Sequence, residues 1–331
     1  MRLLLTIPDL AAAAGGPPVL VTRLAAALHA DGDTVQLLFG ERPGQPSLSI
    51  PDGVIAQSLP WQPNPWRRYR QFAAAVNRLS RQHDIEVVHD HGLWLPENAA
   101  SASAARAAGR PWICQPCGML QDWSVQQQRQ KKRLAWALYQ RRLLGSASAL
   151  IAASPEEARE TTARLPQTLP IHCVGHGVDL PALEATARQR HAVFLGRLHP
   201  VKQVDVLLKV WAALPPSDWQ LLIAGGGEPA YEAQLRAQAT ALKLDDSVRF
   251  LGPVHGEDKR TLLASSQLFL QPSQQENFGL AVLEALAHGL PALTTQAMPW
   301  SALPGAGCGW SVGSDVPSSS RTTSPLRGVN A

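Results

Sequence analysis

Residues 268–291 read LFLQPSQQENFGLAVLEALAHGLP. Leu268-Phe269-Leu270 is an apolar strand end, and Pro272-Ser273 breaks it. A helix is expected from about Phe278-Gly279 to Ala287, with Gly289 as its stop and Pro291 beyond. Glu276 stands before the first turn and Glu284 lies inside it. Eight residues of ideal helix rise ~12 Å and turn through ~800°, which leaves these carboxylates about 80° apart. The first turn between them carries unpaired N–H groups, and Gly279 permits close approach, so this end attracts phosphate. Packing alone also accounts for the pattern, with Glu276 as a cap and Glu284 solvated.

Upstream, residues 192–195 form a short strand followed by Gly196-Arg197-Leu198-His199-Pro200-Val201-Lys202 and a helix over 204–214. An arginine and a lysine five apart at such a turn converge on a diphosphate, one as a fork and the other as a point charge. Two solvated cations are the plain alternative. Further strands are expected at 219–224, ending in Gly225-Gly226-Gly227, and at 248–252, leaving through Gly252-Pro253-Val254. Another is expected at 292–295.

The first half repeats the alternation. Residues 3–7 are strand-like, Gly15-Gly16-Pro17-Pro18 opens a helix with Val21, Leu24, Ala25 and Leu28, and 35–39 form the next strand. Strand, glycine turn, helix, strand begins a doubly wound α/β domain. The turn is not GxGxxG, so dinucleotide binding is not indicated. A strand over 85–89 ends at His89-Asp90-His91-Gly92-Leu93-Trp94, where open α/β sheets place ligands. Strand alternation makes His89 the packed histidine and His91 the ligand candidate. Residues 111–119 form a strand running into a glycine turn. A strand over 149–154 ends at a serine cap before the proline-started helix Pro155-Glu156-Glu157. Residues 126–142 read as one basic helix holding Arg129, Lys131, Lys132, Arg133, Arg141 and Arg142. It is either a solvated face or a contact for an anionic membrane or lipid-diphosphate acceptor.

The whole chain bounds these readings. Its 331 residues are comfortable for two domains, and 45% hydrophobic with 17% charged is an ordinary globular balance. A net charge of +4 without a recognition motif does not point to nucleic acid. The four cysteines are too few for a disulfide scaffold, and the lone Cys114-Gln-Pro-Cys117 lacks the second ligand pair that zinc needs. The apolar start is too short for a signal peptide, and no run reaches the length of a membrane span. The expected location is cytoplasmic, with a peripheral position at the inner face of the membrane.

ENFGLAVLEALAHGLP resembles the donor-site signature of retaining glycosyltransferase family 4, of bacterial polysaccharide or lipopolysaccharide type. GRLHPVKQVDVLL resembles its phosphate-binding turn, VVHDHGLW its strand-end histidine motif, and CVGHGVD its interdomain turn, where Asn-Gly is usual in place of His176-Gly177. The resemblance implies the GT-B fold, two doubly wound Rossmann-like domains facing across a cleft, here 1–180 on the acceptor side and 181–311 on the donor side. It implies sugar transfer from a nucleotide-sugar to a saccharide or lipid-linked acceptor, with retention at the anomeric carbon. Glu276 and His91 would be the catalytic residues, Glu276 bonding the donor sugar. Arg197 and Lys202 would take the diphosphate, Glu284 the ribose, and Val254 the base turn. Asn277, Phe278 and Gly279 would meet the sugar, Leu280 the distal phosphate, and Gly16 the donor from the opposite wall. No cofactor or metal is implied beyond the donor itself. A sugar-nucleotide epimerase of the same fold fits these four charged residues less well.

After Trp310 the sequence turns to serine, threonine and proline. Relatives continue for several helices, so a disordered tail over 312–331 is expected, and with it a truncated, catalytically impaired remnant as the alternative function.

Overall fold

The computed structural model describes residues 1–11, 14–165, 168–182 and 187–313. It separates into two compact units. The first holds Met1–Leu180 together with Glu276–Leu283, and the second holds Pro181–Gln275 with the chain from Glu284 onward. Both are α/β units built on parallel sheets.

In the first unit the elements follow the order β1 (Arg2–Asp9), α1 (Gly16–Ala30), β2 (Thr34–Glu41), β3 (Ile55–Pro60), α2 (Pro65–Gln82), β4 (Val87–His91), α3 (Pro96–Ala107) and β5 (Trp112–Gln115). There follow α4 (Asp122–Gln126), α5 (Arg129–Ala135), a π turn (Trp136–Gln140), α6 (Arg141–Gly145), β6 (Ala149–Ala152), α7 (Pro155–Thr162) and β7 (Ile171–Cys173). The strands pair in the order β3-β2-β1-β4-β5-β6-β7, all parallel. The topological switch point therefore lies between β1 and β4. Helices cover both faces, so β1 and β2 are largely apolar, whereas β4 carries His89, Asp90 and His91. One face buries Leu4, Leu38, Val88 and Leu150 with Phe72, Val76 and Leu79 of α2. The other buries Leu5, Leu37 and Phe39 with Val21 and Ala25 of α1.

The second unit runs β8 (His191–Leu195), a 3-10 turn (Pro200–Lys202), α8 (Val204–Ala213), β9 (Gln220–Ala224), α9 (Pro229–Ala241), β10 (Val248–Gly252), α10 (Gly256–Ser265) and β11 (Leu268–Gln271). It closes with β12 (Ala292–Thr295) and β13 (Gly309–Val312), and α11 (Leu280–Ala287) leads between β11 and β12. The order is β10-β9-β8-β11-β12-β13, again parallel, with the switch point between β8 and β11. Its core packs Ala192, Phe194, Leu221, Ile223 and Leu270 against Val204, Leu208 and Leu235.

Several sequence expectations are corrected. The basic stretch 126–142 is not one helix: Gln128 adopts left-handed backbone at φ 52°, and α5 passes into the π turn before α6. The strand expected at 85–89 runs from Val87 to His91, so both histidines lie within it. The helix of the opening stretch starts at Leu280, after Gly279 at φ 83°. Glu276 therefore lies outside it, and the ideal arc between Glu276 and Glu284 is not realised. Pairing of β13 with β12 carries order through Val312, the first residue of the expected tail. Residues 314–331 lie outside the described residues.

Candidate active site

In the second unit, the turn after β8 sits at the switch point. Arg197 is exposed while its neighbour Leu198 is buried and pairs with Gly227. The triple glycine owes its composition to this approach. A Cβ at Gly225 would stand 1.8 Å from Gly196 O, and one at Gly227 2.1 Å from Leu198 O. A Cβ at Gly226 would stand 3.1 Å from Pro253 Cγ, so the exit of β10, with Val254, lies at the same corner. His199 caps the 3-10 turn, its Nδ1 accepting the Val201 N–H at 3.3 Å. Burial first, then Arg197 and Lys202, push the His199 imidazole below its ordinary value, so the turn keeps two cations around a neutral ring. The segment after β11 joins this corner, because Gln274 N–H donates to Val201 O at 2.8 Å. Thr295 Oγ1 donates to the carbonyl of buried Ser273 at 2.5 Å and fixes that turn from the β12 side.

Glu284 is buried on α11, and Lys259 of α10 reaches it with Nζ 2.9 Å from Oε1. A buried carboxylate paired this way keeps a fixed orientation. Sequence reading missed Lys259. The pair is separated by 25 residues, a spacing that carries no helical or strand signal.

In the first unit, β4 brings three polar residues to the switch point. Strand alternation does not separate the two histidines as expected: residues two apart share one face of β4, and His89 and His91 are both buried on it, His91 at 1% exposure. Their rings stand 4.2 Å apart. His91 Nδ1 faces Thr6 O at 3.2 Å, and Nε2 of both rings is buried without a hydrogen-bond partner. Burial lowers His89 to about 4 and holds His91 well below the ordinary histidine range, so both are neutral. Between them Asp90 is fully buried, accepting from Thr6 Oγ1 at 2.6 Å and Asn98 Nδ2 at 3.1 Å. Burial pushes its carboxyl up to about 8. Gly16 is the exposed first residue of α1, entered through Gly15 at φ 91°.

Glu276, Asn277, Phe278, Gly279 and Leu280 belong to this unit. The amide of Asn277, turned with its nitrogen toward Glu157, donates to both carboxylate oxygens at 3.1 and 2.7 Å. The Phe278 ring lies 4.6 Å from that of His176. Gly279 O accepts the Val282 N–H at 2.9 Å and opens α11. Glu157 was legible only as a residue in the first turn of a proline-started helix. Cys114 and Cys117 are free, and burial pushes both thiols far up, which keeps them protonated and unreactive.

Comparison with known proteins agrees with both halves. Residues 15–177 match the model of the glycosyl transferase 4-like domain, and residues 181–301 match that of glycosyl transferases group 1. The chain belongs to the GT-B glycosyltransferases. Among curated relatives of this GT-B glycosyltransferase, a D-inositol 3-phosphate glycosyltransferase of an Arthrobacter species is 27% identical over 315 residues, covering 86% of this chain and 74% of that one. Among solved structures, Anabaena HepE in complex with UDP and glucose superposes with a TM-score of 0.70 at 20% identity, covering 90% of this chain and 82% of the other. WaaG, described as a glycosyltransferase involved in lipopolysaccharide biosynthesis, gives 0.67 at 19% over 95% and 86%. Among the described residues of this glycosyltransferase, no helix is long and apolar enough to cross a membrane.

Proposed function

We propose that this glycosyltransferase moves a sugar from a nucleoside diphosphate donor to a saccharide or lipid-linked acceptor of a bacterial surface polysaccharide, with retention. The observation that carries the donor assignment is the corner at the β8/β11 switch point. There the Arg197–Lys202 turn is hydrogen-bonded to the segment that leads into the signature. Arg197 and Lys202 take the diphosphate and offset the charge that builds on the leaving nucleotide. Glu284, held by Lys259, accepts the ribose hydroxyls, and Val254 lies against the base. Leu280 N–H, at the helix start, is assigned to the distal phosphate, Gly16 to the donor, and Asn277, Phe278 and Gly279 to the sugar. Glu276 bonds the sugar hydroxyls and orients the anomeric carbon. His91 Nε2, buried and unpartnered, is suited to bond the sugar or the incoming hydroxyl. The two cations supply the charge compensation, so we propose that turnover needs no metal ion.

The acceptor reading is supported by the surface of α5 and α6. Leu134 and Leu138 are 62% and 67% exposed, beside the exposed Arg129, Lys131, Arg133, Arg141 and Arg142. Apolar side chains ringed by cations suit the inner face of an anionic membrane, where a lipid-linked acceptor resides.

The test is nucleotide binding. UDP, the nucleotide named for the HepE complex, is the first ligand to try, beside GDP, ADP and dTDP. Arg197→Ala and Lys202→Ala are each expected to weaken binding by roughly tenfold to a hundredfold. Wild-type affinity in the double variant overturns the donor assignment. Turnover that EDTA abolishes overturns the metal-free one.

A further inference from the structure

Glu157 has no exposed surface, yet it gathers donors from three separate stretches of the first unit. Its Oε2 accepts the Ala153 N–H at 2.7 Å, at the end of β6, and its Oε1 accepts the Gly118 N–H in the turn after β5. Its own N–H donates to Ser154 Oγ at 3.1 Å. A serine cap with a glutamate three residues later is the pattern of a capping box; the Ser154 bond fits that role, and the Ala153 N–H, one residue before the cap, stands in for the cap's own. The bonds from Gly118 and Asn277 do not fit that role. Burial of a carboxylate is unfavourable without donors, and burial does raise this carboxyl while the bonds from Ala153, Gly118 and Asn277 lower it again.

The residues around Asn277 and Phe278 are shaped to receive them. A Cβ at Gly118 would stand 2.9 Å from Asn277 Cβ, and one at Gly175 would touch the Phe278 ring at 3.4 Å. His176 packs on the same ring, tilted by 52°. Its imidazole is lowered to about 4 by burial, so it packs as a neutral ring.

We propose that Glu157 is a positioning residue for the sugar-binding loop. It holds the Asn277 amide, and so fixes the path of Phe278 and Gly279 into the first turn of α11, while His176 and Gly175 form the second wall. Its effect on turnover rests on the donor reading above; its effect on the loop does not.

Two readouts test this. Hydrogen exchange of the amides of residues 276–283 reports the loop directly, and steady-state kinetics report its use. Glu157→Gln is expected to speed exchange there and to lower kcat/KM by roughly tenfold to a hundredfold, the loss of a bond to a charged group. Ser154→Ala, which removes the cap alone, is expected to lower Tm while leaving loop exchange as in wild type. Should Glu157→Gln not fold, Asn277→Ala opens the same contact from the loop side with the capping box intact, and is expected to raise exchange alike. In the double variant the two effects do not add. Loop exchange unchanged in Asn277→Ala or in folded Glu157→Gln, or raised equally by Ser154→Ala, overturns the proposal. If loop exchange rises while the Arg197/Lys202 double variant keeps full nucleotide affinity, the positioning role stands and the donor reading fails.

Discussion

Lys259 Nζ lies 2.9 Å from Glu284 Oε1, with the two side chains 23% and 10% exposed. Lys259 of α10 and Glu284 of α11 both belong to the second unit, and the pair turns a buried carboxylate into an oriented acceptor.

Replacing the lysine alone therefore removes the bond that orients a buried carboxylate. Lys259→Met is expected to weaken nucleotide binding by about 1.5–3 kcal/mol, although Lys259 itself need not touch the ligand. Calorimetric titration with UDP or the preferred nucleotide measures it, and Lys259→Arg should recover part of the loss. Affinity unchanged in Lys259→Met would show that Glu284 does not depend on the pair.

Gly227→Ala should destabilise the second unit by roughly the 1–3 kcal/mol typical of overpacking, because its Cβ meets a backbone oxygen that cannot rotate away. Gly16→Ala, with no atom within 4 Å of the added carbon, should fall within about 0.5 kcal/mol of wild type. Urea midpoints of the two variants make the comparison.

The pH dependence of stability should divide at β4. Asp90 holds its proton more tightly folded, at about 8, than unfolded at 3.8, so its contribution is complete at low pH and is lost as pH rises between these values. His89 is depressed from 6.5 to about 4, so its contribution is complete above 6.5 and is lost as pH falls toward 4. Asp90→Asn should thus gain on wild type from pH 4 to pH 8, apart from a constant offset. His89→Phe should gain on wild type as pH falls from 6.5 to 4. Denaturation midpoints across that range decide both, and parallel curves would contradict them.

Vesicles rich in anionic lipid should retain the protein at low salt and release it as salt rises, each cation near the surface being worth about 1 kcal/mol. Leu134→Glu with Leu138→Glu should abolish retention. Equal partition onto neutral and anionic vesicles would leave the patch as a solvated face.

The sequence made the centre of each sheet legible and the edges obscure, for a physical reason. Strands such as β8 and β11 are buried on both faces and read as apolar runs. The edge strands β3 and β13 alternate between partly covered and exposed residues, and β13 ends at the first residue of the expected tail. In the candidate site, Arg197 and Lys202 were legible as candidates because they stand within one turn that resembles a known phosphate-binding turn. Lys259 and Glu157 were not assigned their partners, because these meet through folding and not through spacing. The break in the basic helix had no proline or glycine to announce it; Gln128 is an ordinary residue in a left-handed conformation.

That same helix carries a consequence for chain length. At the π turn the Arg141 N–H donates to Trp136 O, five residues back, so the turn accommodates one residue beyond the α-helical repeat. Such a turn behaves as a stored insertion. A one-residue deletion within 136–140 can be absorbed by reversion to the α repeat, leaving Leu144 on its buried side. The same deletion in α2 has no slack to draw on, and would swing part of the buried row Phe72, Ala75, Val76 and Leu79 by about 100°. Length variation among close homologues should then concentrate at 136–140 and spare 65–82.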